Sequence, residues 1–260
     1  FGCKVTVINN DELILSGFDD DVRAHIQQSL TKRGIRFFHN STAKEIKLCE
    51  DGLLVKIKAD KQATVAADTI LVATGRTPNI EKLGLEKVGI ELAEKGTIKV
   101  NEYNNTNIEN IYAVGDCSSS LQLTPVAKAE GEAFAKTVFG KTPKTVNYNE
   151  VPTAVFSRPE GASYGMTEQQ ARSEFGDDVE SFKTEFKSLL SQFGGSDEKT
   201  LIKIIVKTEN QQVLGAHMVG EHAADIIQSL GVAIRKGITK QDLVESIGIH
   251  PTTAEELMTL

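Results

Sequence analysis

The sequence predicts a protein of more than one domain, with an α/β region at its start and an α+β region at its end. Three observations support this fold class. A strand, a helix and a strand follow one another within the first 38 residues, which is typical of a βαβ unit in a parallel sheet. The last part of the chain is predicted to contain a strand, a helix, three strands of which the last two are joined by a short turn, and then two helices, as in an α+β domain built on an antiparallel sheet. The length of 260 residues is enough for one large domain or two small ones.

The composition limits the partners of the chain. The formal net charge of −7 argues against nucleic acid as the main partner, because phosphate binding requires a basic surface. The sequence has no apolar run of about 18 residues, so we predict no membrane span and no membrane partner. It begins without Met on a strand-like run, and we expect it to be a fragment whose N-terminal part is missing.

The three cysteines predict a reducing environment. Cys3, Cys49 and Cys117 show no C-x-x-C spacing, which argues against a disulfide framework and against a zinc site. The histidines show no metal-site pattern either, so we predict no metal. We therefore expect a cytoplasmic protein, with an organellar location left open by the expected loss of the N-terminus.

The first region is predicted to hold the βαβ unit and then antiparallel strands. Val22, Ile26 and Leu30 lie at i, i+4 and i+8, which predicts a helix with one apolar face, and Gly34 is its C-cap. The turn Glu50-Asp51-Gly52 is a hairpin signal. The predicted elements are a buried strand at 5–8, a helix at 19–33, a strand at 35–38, hairpin strands at 43–48 and 53–58, and an apolar strand at 69–73.

The rest of the chain is predicted to form two further regions. Pro125 suits a helix start, because its missing N–H would have no helical partner there. Thr167 with Gln170, and Thr239 with Asp242, predict capped helix starts. The predicted strands are 98–100, 111–114, 153–156, 180–186, 201–206 and 213–219, and the main predicted helices are 126–139 and 223–236.

Two turns that follow predicted strands are candidate ligand sites. The apolar run 111–114 stops at Gly115-Asp116, and in open α/β sheets ligands bind at the carboxyl ends of strands. An Asp there can accept hydrogen bonds from a sugar or ribityl hydroxyl; the alternative is an Asx turn without a ligand. The helix after Leu123-Thr124-Pro125 directs its N-terminus at the same region and favours negative charge on a ligand. A second such turn, 74–79, contains Gly75 and Arg76.

The closing stretch contains a candidate acid–base pair. Pro251 disfavours a helical backbone at His250, and Thr252-x-x-Glu255 predicts a capping box that opens a helix. His250 is therefore expected at a helix entrance, with a carboxylate within one turn that can fix its tautomer. Such a pair suits general acid–base catalysis. On this stretch alone, the alternative that Glu255 only caps the helix stays open.

Four segments together resemble the FAD-dependent pyridine nucleotide–disulfide oxidoreductases. Residues 73–79 match A-T-G-R-x-P-N, and residues 106–116 resemble the second flavin motif, T-x-x-x-x-I-Y-A-x-G-D. Leu-Thr-Pro at 123–125 and His-Pro-Thr-x-x-Glu-Glu at 250–256 complete the set, in order and at family-like spacing over essentially the whole chain. Segments 149–157, 214–221 and 249–252 resemble in particular the glutathione-reducing branch of plants and cyanobacteria.

The resemblance implies a homodimeric flavoprotein that reduces oxidised glutathione, with FAD and NADP as cofactors and NAD left open. It implies that Asp116 holds the ribityl chain of FAD. It also implies that His250, oriented by Glu255, is the general acid–base in thiol–disulfide exchange and acts on the active site of the partner subunit. The implied cofactor-binding residues are Gly75, Arg76, Gly115, Asp116, Leu123, Thr124 and Pro125. The implied domains are 1–75, the C-terminal part of the NAD(P)-binding domain; 76–147, a central FAD-contacting domain; and 148–260, a dimerisation domain.

Several parts of the family pattern are absent from the sequence. Both G-x-G-x-x-G segments and the redox-active cysteine pair are missing, so we expect the fragment alone to be inactive. Residues 9–19 contain no arginine, although family members that use NADP usually carry arginines there for the 2′-phosphate. Glu132 stands where some glutathione-reducing members have an arginine for a substrate carboxylate.

Two alternatives follow from these departures. A dihydrolipoamide dehydrogenase that uses NAD would share the same motifs and the His–Glu pair, and the missing arginines favour it. A non-enzymatic alternative is a dimerisation or binding module that has lost its catalytic half. The upstream coding sequence would distinguish the two classes, because a C-x-x-x-x-C segment there supports an enzyme.

Overall fold

The computed structural model describes residues 2–58, 63–119 and 121–260. Its elements confirm the mixed α/β and α+β fold class. The strands are β1 (Thr6–Ile8), β2 (Arg36–Phe38), β3 (Thr42–Cys49), β4 (Gly52–Lys58), β5 (Ala63–Ala67), β6 (Thr153–Val155), β7 (Gly161–Gly165), β8 (Val179–Phe186), β9 (Thr200–Lys207) and β10 (Val213–Val219). The α-helices are α1 (Asp20–Lys32), α2 (Leu85–Val88), α3 (Thr124–Val138), α4 (Glu168–Phe175), α5 (Leu189–Phe193), α6 (Ala223–Ile234) and α7 (Lys240–Glu245).

The chain divides into two compact units. The first, which we call the sheet unit, comprises the residues up to Ile70 together with Pro152–Leu260. The second, which we call the turn unit, is Leu71–Val151. Among the helices of the described ranges, none has both the length and the apolar character that a bilayer crossing requires.

A five-stranded antiparallel sheet forms the core of the sheet unit, in the order β6-β7-β10-β9-β8. The inner strand β9, between β10 and β8, is buried on both faces. Ile202 and Ile204 share a core cluster with Ile227 of α6, whereas Leu201 packs on the opposite face. This double burial explains why the strand reads as an apolar run and not as an alternating pattern. The sequence did not predict β7, because its Gly-Ala-Ser-Tyr-Gly run lacks β-branched residues.

The predicted βαβ unit is present. β1 and β2 pair in parallel, with Val7 opposite Phe37. Asp19 caps α1 by accepting a hydrogen bond from the N–H of Asp21 at 3.1 Å. The prediction that 5–8 is a buried strand is wrong, because β1 is only half-buried and, among the described residues, pairs with β2 alone.

Helix α1 packs on the five-stranded sheet. Val22 and Ile26 are 0% exposed and cluster with Leu201 and Val219 on the face of the sheet opposite α6. Burying two such side chains stabilises the unit by about 3–6 kcal/mol before entropy losses are counted. The start of the chain and its last third therefore share one core.

Strands β3, β4 and β5 form a separate antiparallel sheet, so the predicted hairpin is confirmed. The predicted strand at 69–73 is wrong. Among the described residues it has no strand partner, and Leu71 and Val72 are 88% and 67% exposed. An apolar run becomes a strand only where a neighbouring strand satisfies its backbone hydrogen bonds.

The turn unit contains little regular structure besides α3. The predicted strands 98–100 and 111–114 are wrong, because the structure has only single bridges there, Leu92 to Ile98 and Asn105 to Tyr112. Side chains, and not neighbouring strands, supply hydrogen bonds to the backbone in this region. The side-chain amide of Asn105 donates to the carbonyl of Ile111 at 3.0 Å. Turns held in this way are local structures that depend on individual polar side chains.

Candidate active site

A cavity of about 350 Å³ lies beside the Gly115-Asp116 turn of the turn unit. Its lining residues are Arg76, Thr77, Pro78, Asn79, Asp116, Cys117 and Gln122. Two predicted cofactor residues, Arg76 and Asp116, thus meet at one cavity. Gly75, Leu123, Thr124 and Pro125 are all described but are not among its lining residues.

The turn that carries Asp116 depends on glycine. Residues Gly115–Cys117 form a 3-10 turn in which Gly115 has φ of +76°, a conformation that L-residues rarely adopt. A Cβ atom at position 115 would also lie 3.2 Å from the Cβ of Ala127. The Ser119 N–H closes the turn on the Gly115 carbonyl at 2.8 Å. The turn therefore presses against α3 and presents the next residue, Asp116, to the cavity.

Helix α3 begins beside this turn, so the predicted helix is confirmed with a start two residues earlier, at Thr124. Leu123 is its extended N-cap residue and Pro125 lies in its first turn, where no intrahelical N–H bond is lost. Leu123 is half-buried, whereas Thr124 and Pro125 are exposed. The start of the helix is thus accessible to a ligand, as the sequence predicts for these three residues.

Sequence reasoning missed one buried acid at this site. Glu130 of α3 is 0% exposed and accepts the N–H of Gly115 at 2.5 Å and the hydroxyl of Tyr148 at 2.7 Å. Its position gave a signal, because Val126, Glu130 and Ala133 share the buried face of the helix. An acidic side chain on an apolar helix face indicates a buried carboxylate, which needs hydrogen-bond donors around it.

The second candidate group, in the sheet unit, is the His250–Glu255 pair. Nδ1 of His250 lies 3.2 Å and 3.1 Å from the two carboxylate oxygens of Glu255. The His250 side chain is 83% exposed and that of Glu255 is 25% exposed. A carboxylate at Nδ1 favours the tautomer with the proton there, which leaves Nε2 for proton exchange with a substrate. The structure brings the two residues together, and their catalytic role stays a prediction.

Glu255 also forms the predicted capping box. Its Oε1 accepts the N–H of Thr252 at 3.2 Å, and its own N–H donates to the Thr252 hydroxyl at 3.3 Å. The element that follows is a 3-10 helix, Thr253–Met258. Capping and orientation of His250 are therefore compatible, because one carboxylate makes both contacts.

Two packing contacts hold this loop in place. Leu257 is 4% exposed and belongs to the main core cluster with Leu243 of α7. Gly248 lies so close to Glu255 that a Cβ at position 248 would be 2.8 Å from the Glu255 Cβ. A larger residue at 248 would displace Glu255 from His250, so this geometry requires glycine.

Comparison with known proteins places these features in a family. The sequence pattern of pyridine nucleotide-disulphide oxidoreductases matches residues 1–131, and the pattern of the dimerisation domain of the same proteins matches residues 151–260. The chain belongs to the pyridine nucleotide-disulphide oxidoreductase family. The resemblance to this family that the sequence motifs predict is thus confirmed.

Relatives in this family carry more than one name. A glutathione reductase of Nostoc sp. is 42% identical over 100% of this chain and 59% of its own length. A glutathione reductase of Burkholderia cepacia is 42% identical over 100% of the chain and 57% of its own length. A dihydrolipoyl dehydrogenase of Geobacillus stearothermophilus is 38% identical over 99% of the chain and 55% of its own length. The chain therefore spans somewhat more than half the length of these relatives.

Proposed function

We propose that this chain is part of a flavin-dependent disulfide reductase that uses NADPH to reduce oxidised glutathione. The observation that carries the proposal is the contact of the His250 imidazole with the Glu255 carboxylate, at 3.1 Å, on a loop anchored in the core. The choice of glutathione is supported by the two glutathione reductases that are 42% identical to the chain.

His250 would supply a proton to sulfur. Cleavage of a disulfide releases a thiolate, and the release is faster when the departing sulfur is protonated or stabilised by a nearby cation. Nε2 of His250 is the atom that would give up this proton. The Glu255 carboxylate stabilises the positive charge of the protonated ring at a distance of 3.1 Å. Glu255 would thereby act through His250 and hold its tautomer and direction.

The cavity of the turn unit fits part of a bound FAD. It combines the guanidinium of Arg76, the carboxylate of Asp116 and the amides of Asn79 and Gln122, which suit phosphate and hydroxyl groups. Asp116 would accept hydrogen bonds from the ribityl hydroxyls. Gly75, Gly115, Leu123, Thr124 and Pro125 complete the proposed cofactor residues. FAD, when bound, supplies the two-electron path between a nicotinamide and a disulfide.

The loop after β1 bears on the choice between NADPH and NADH. Arg23, the arginine next along the chain after β1, donates to the carbonyls of Leu13 and Ile14, each at 2.8 Å, and pairs with Asp20. Its guanidinium is therefore already used to hold the loop after β1. This engagement favours the alternative, a dihydrolipoamide dehydrogenase that uses NAD.

We also propose a homodimer. Residues 151–260 match the dimerisation domain of the family. Ile247 and Ile249, next to His250, are 98% and 77% exposed, and Phe156 is 82% exposed. A contiguous exposed apolar patch is typical of a surface that a partner covers, and Ile247 and Ile249 are the side chains beside His250 that would contribute to one. The domain division into 1–75, 76–147 and 148–260 is kept as part of this proposal.

The test of substrate choice is a matched assay of the purified full-length protein. Oxidised glutathione and lipoamide would each be tested with NADPH and with NADH, and nicotinamide oxidation followed by absorbance. We expect turnover with oxidised glutathione and NADPH. Activity confined to lipoamide and NADH would replace the proposal by the alternative, and a protein that binds no flavin would refute both.

A further inference from the structure

The buried carboxylate of Glu130 takes no part in the proposed reaction, yet it lies directly behind the turn that presents Asp116. One oxygen accepts the backbone N–H of Gly115 at 2.5 Å, and the other accepts the hydroxyl of Tyr148 at 2.7 Å. Both donors are neutral groups. The carboxylate is 0% exposed, so these two contacts replace the water that it loses on folding.

A residue that only filled space would not be an acid. The neighbours of Glu130 on the buried face of α3 are Val126 and Ala133, and burying a carboxylate among apolar groups is costly unless its oxygens accept hydrogen bonds. The Gly115 N–H also requires a partner, because a buried donor without an acceptor is unfavourable. Glu130 therefore satisfies the amide of the residue that has φ of +76° and immediately precedes Asp116.

Tyr148 completes the clamp. Partial burial, together with the hydrogen bond to Glu130, raises the pKa of Tyr148 to about 12, so its hydroxyl stays a donor at any working pH. Tyr148 also forms a hydrogen bond with the side chain of Asn104, and the backbone carbonyl of Asn104 accepts the N–H of Ala113 at 3.0 Å. The segment on the N-terminal side of Gly115 is thus connected to the same group of residues through the backbone of Asn104.

We propose that Glu130 is a positioning residue for the flavin site, which holds Gly115 in its turn so that Asp116 stays at the cavity with Arg76. The inference rests on the proposed function, because it assumes that this cavity takes part of FAD. It adds a role that depends on a side-chain oxygen that accepts the Gly115 N–H, and not on contact with the cofactor.

The test compares four variants of the full-length protein for FAD affinity. FAD is removed, and the apoprotein is titrated with FAD while the quenching of flavin fluorescence is followed. We expect Glu130→Ala to raise the dissociation constant about tenfold or more, since a buried donor is left without an acceptor. Glu130→Gln keeps an acceptor for Gly115 and a partner for the rotating Tyr148 hydroxyl, so it should stay within about threefold of the wild type.

Two further variants keep the test decisive. Glu132→Ala removes an exposed acid from the same helix and should leave the affinity within about twofold, because no buried group loses a partner. Tyr148→Phe removes only a hydroxyl outside α3, so it remains informative if Glu130→Ala folds poorly. It should weaken FAD binding less than Glu130→Ala does, because the contact of Glu130 with Gly115 is kept. The loss of protection of the Gly115 amide from hydrogen exchange in the Glu130→Ala apoprotein would show the opened turn directly.

The outcomes separate this inference from the proposed function. Wild-type protein that binds no FAD would refute the proposed function. Wild-type protein that binds FAD, with Glu130→Ala binding equally well, would refute the positioning role alone. An affinity loss in Glu130→Gln as large as in Glu130→Ala would also overturn it, because the amide oxygen of Gln still offers an acceptor to the Gly115 N–H.

Discussion

The sheet unit and the turn unit each bury a charged side chain, and the two charges are compensated in different ways. In the sheet unit, the Lys203 ammonium lies 2.9 Å from Asp19, 2.6 Å from Asp21 and 2.8 Å from Glu168. In the turn unit, Glu130 accepts hydrogen bonds from two neutral donors. The first set joins residues up to 184 positions apart, whereas the second joins residues 15 and 18 positions apart.

This difference in span indicates a difference in role. The Lys203 cluster connects the start of α1 and the start of α4 to β9, at a side chain that is 2% exposed. It therefore supports the packing of the whole sheet unit. The Glu130 clamp fixes a single turn beside a cavity. Loss of the Lys203 cluster should lower the global stability of the protein, and loss of the Glu130 clamp should mainly weaken the binding of a ligand.

The largest effect is expected for Lys203→Met. The variant keeps the length of the side chain but leaves Asp19, which is 2% exposed, without a buried cation. Removing one partner of a buried ion pair costs about 3–5 kcal/mol. The free energy of unfolding, measured by urea denaturation, should fall by this amount.

The matched control for this variant is Lys183→Met. Lys183 also pairs with Asp21, at 2.8 Å, but its side chain is 56% exposed, and exposed pairs contribute at most about 1 kcal/mol. The comparison with Glu130→Ala sharpens the contrast, because we expect about 1–3 kcal/mol there. Equal losses for Lys203→Met and Lys183→Met would show that the buried cluster has no special weight.

A smaller effect is expected in the pH dependence of stability. Burial opposes the shift, but hydrogen bonds from Lys183 and Lys203 hold the pKa of Asp21 below its ordinary 3.8, and those from Lys203 and Arg172 hold the pKa of Glu168 below 4.5. Carboxyls with lowered folded-state pKa values stabilise the fold above their unfolded-state values and lose this contribution as the pH falls through the folded-state values. The stability of the wild type should therefore decline from about pH 5 downward.

Lys203→Met should flatten that decline, because the pKa values of Asp21 and Glu168 would return toward those of the unfolded chain. Urea unfolding at a series of pH values between neutral and acidic conditions measures the slope for both proteins. Parallel slopes would mean that Lys203 does not lower these two pKa values. Lys183→Met again provides the comparison, since it removes only the exposed partner of Asp21.

Sequence reasoning succeeded where one local pattern decides the structure. The partners in the capping box and in the contact between His250 and Glu255 lie no more than five positions apart, so residue types and spacing suffice to predict them. The strand β9 and helix α1 were predicted from their apolar patterns. Such patterns indicate which side chains are buried, and the sheet unit does bury the apolar side chains of both elements.

The failures arose where structure depends on distant partners. The apolar runs 69–73 and 111–114 were predicted as strands, but apolar character alone does not supply a neighbouring strand. The contact of Glu130 with Gly115 depends on the turn that brings α3 back onto it, which no spacing rule gives. Lys203 inside an apolar strand signals a buried partner, but the sequence does not identify Asp19 as that partner.

The central claim is that His250 exchanges a proton with sulfur, and His250→Gln tests it most directly. Glutamine keeps a polar side chain of similar reach but cannot carry the proton. In the purified full-length protein, turnover with oxidised glutathione and NADPH should fall at least about 100-fold, the usual range for loss of a general acid–base. Flavin content and the rate of flavin reduction by NADPH, recorded on the same sample, should match the wild type. Turnover that stays near the wild-type value, with flavin intact, would contradict the proposed role of His250.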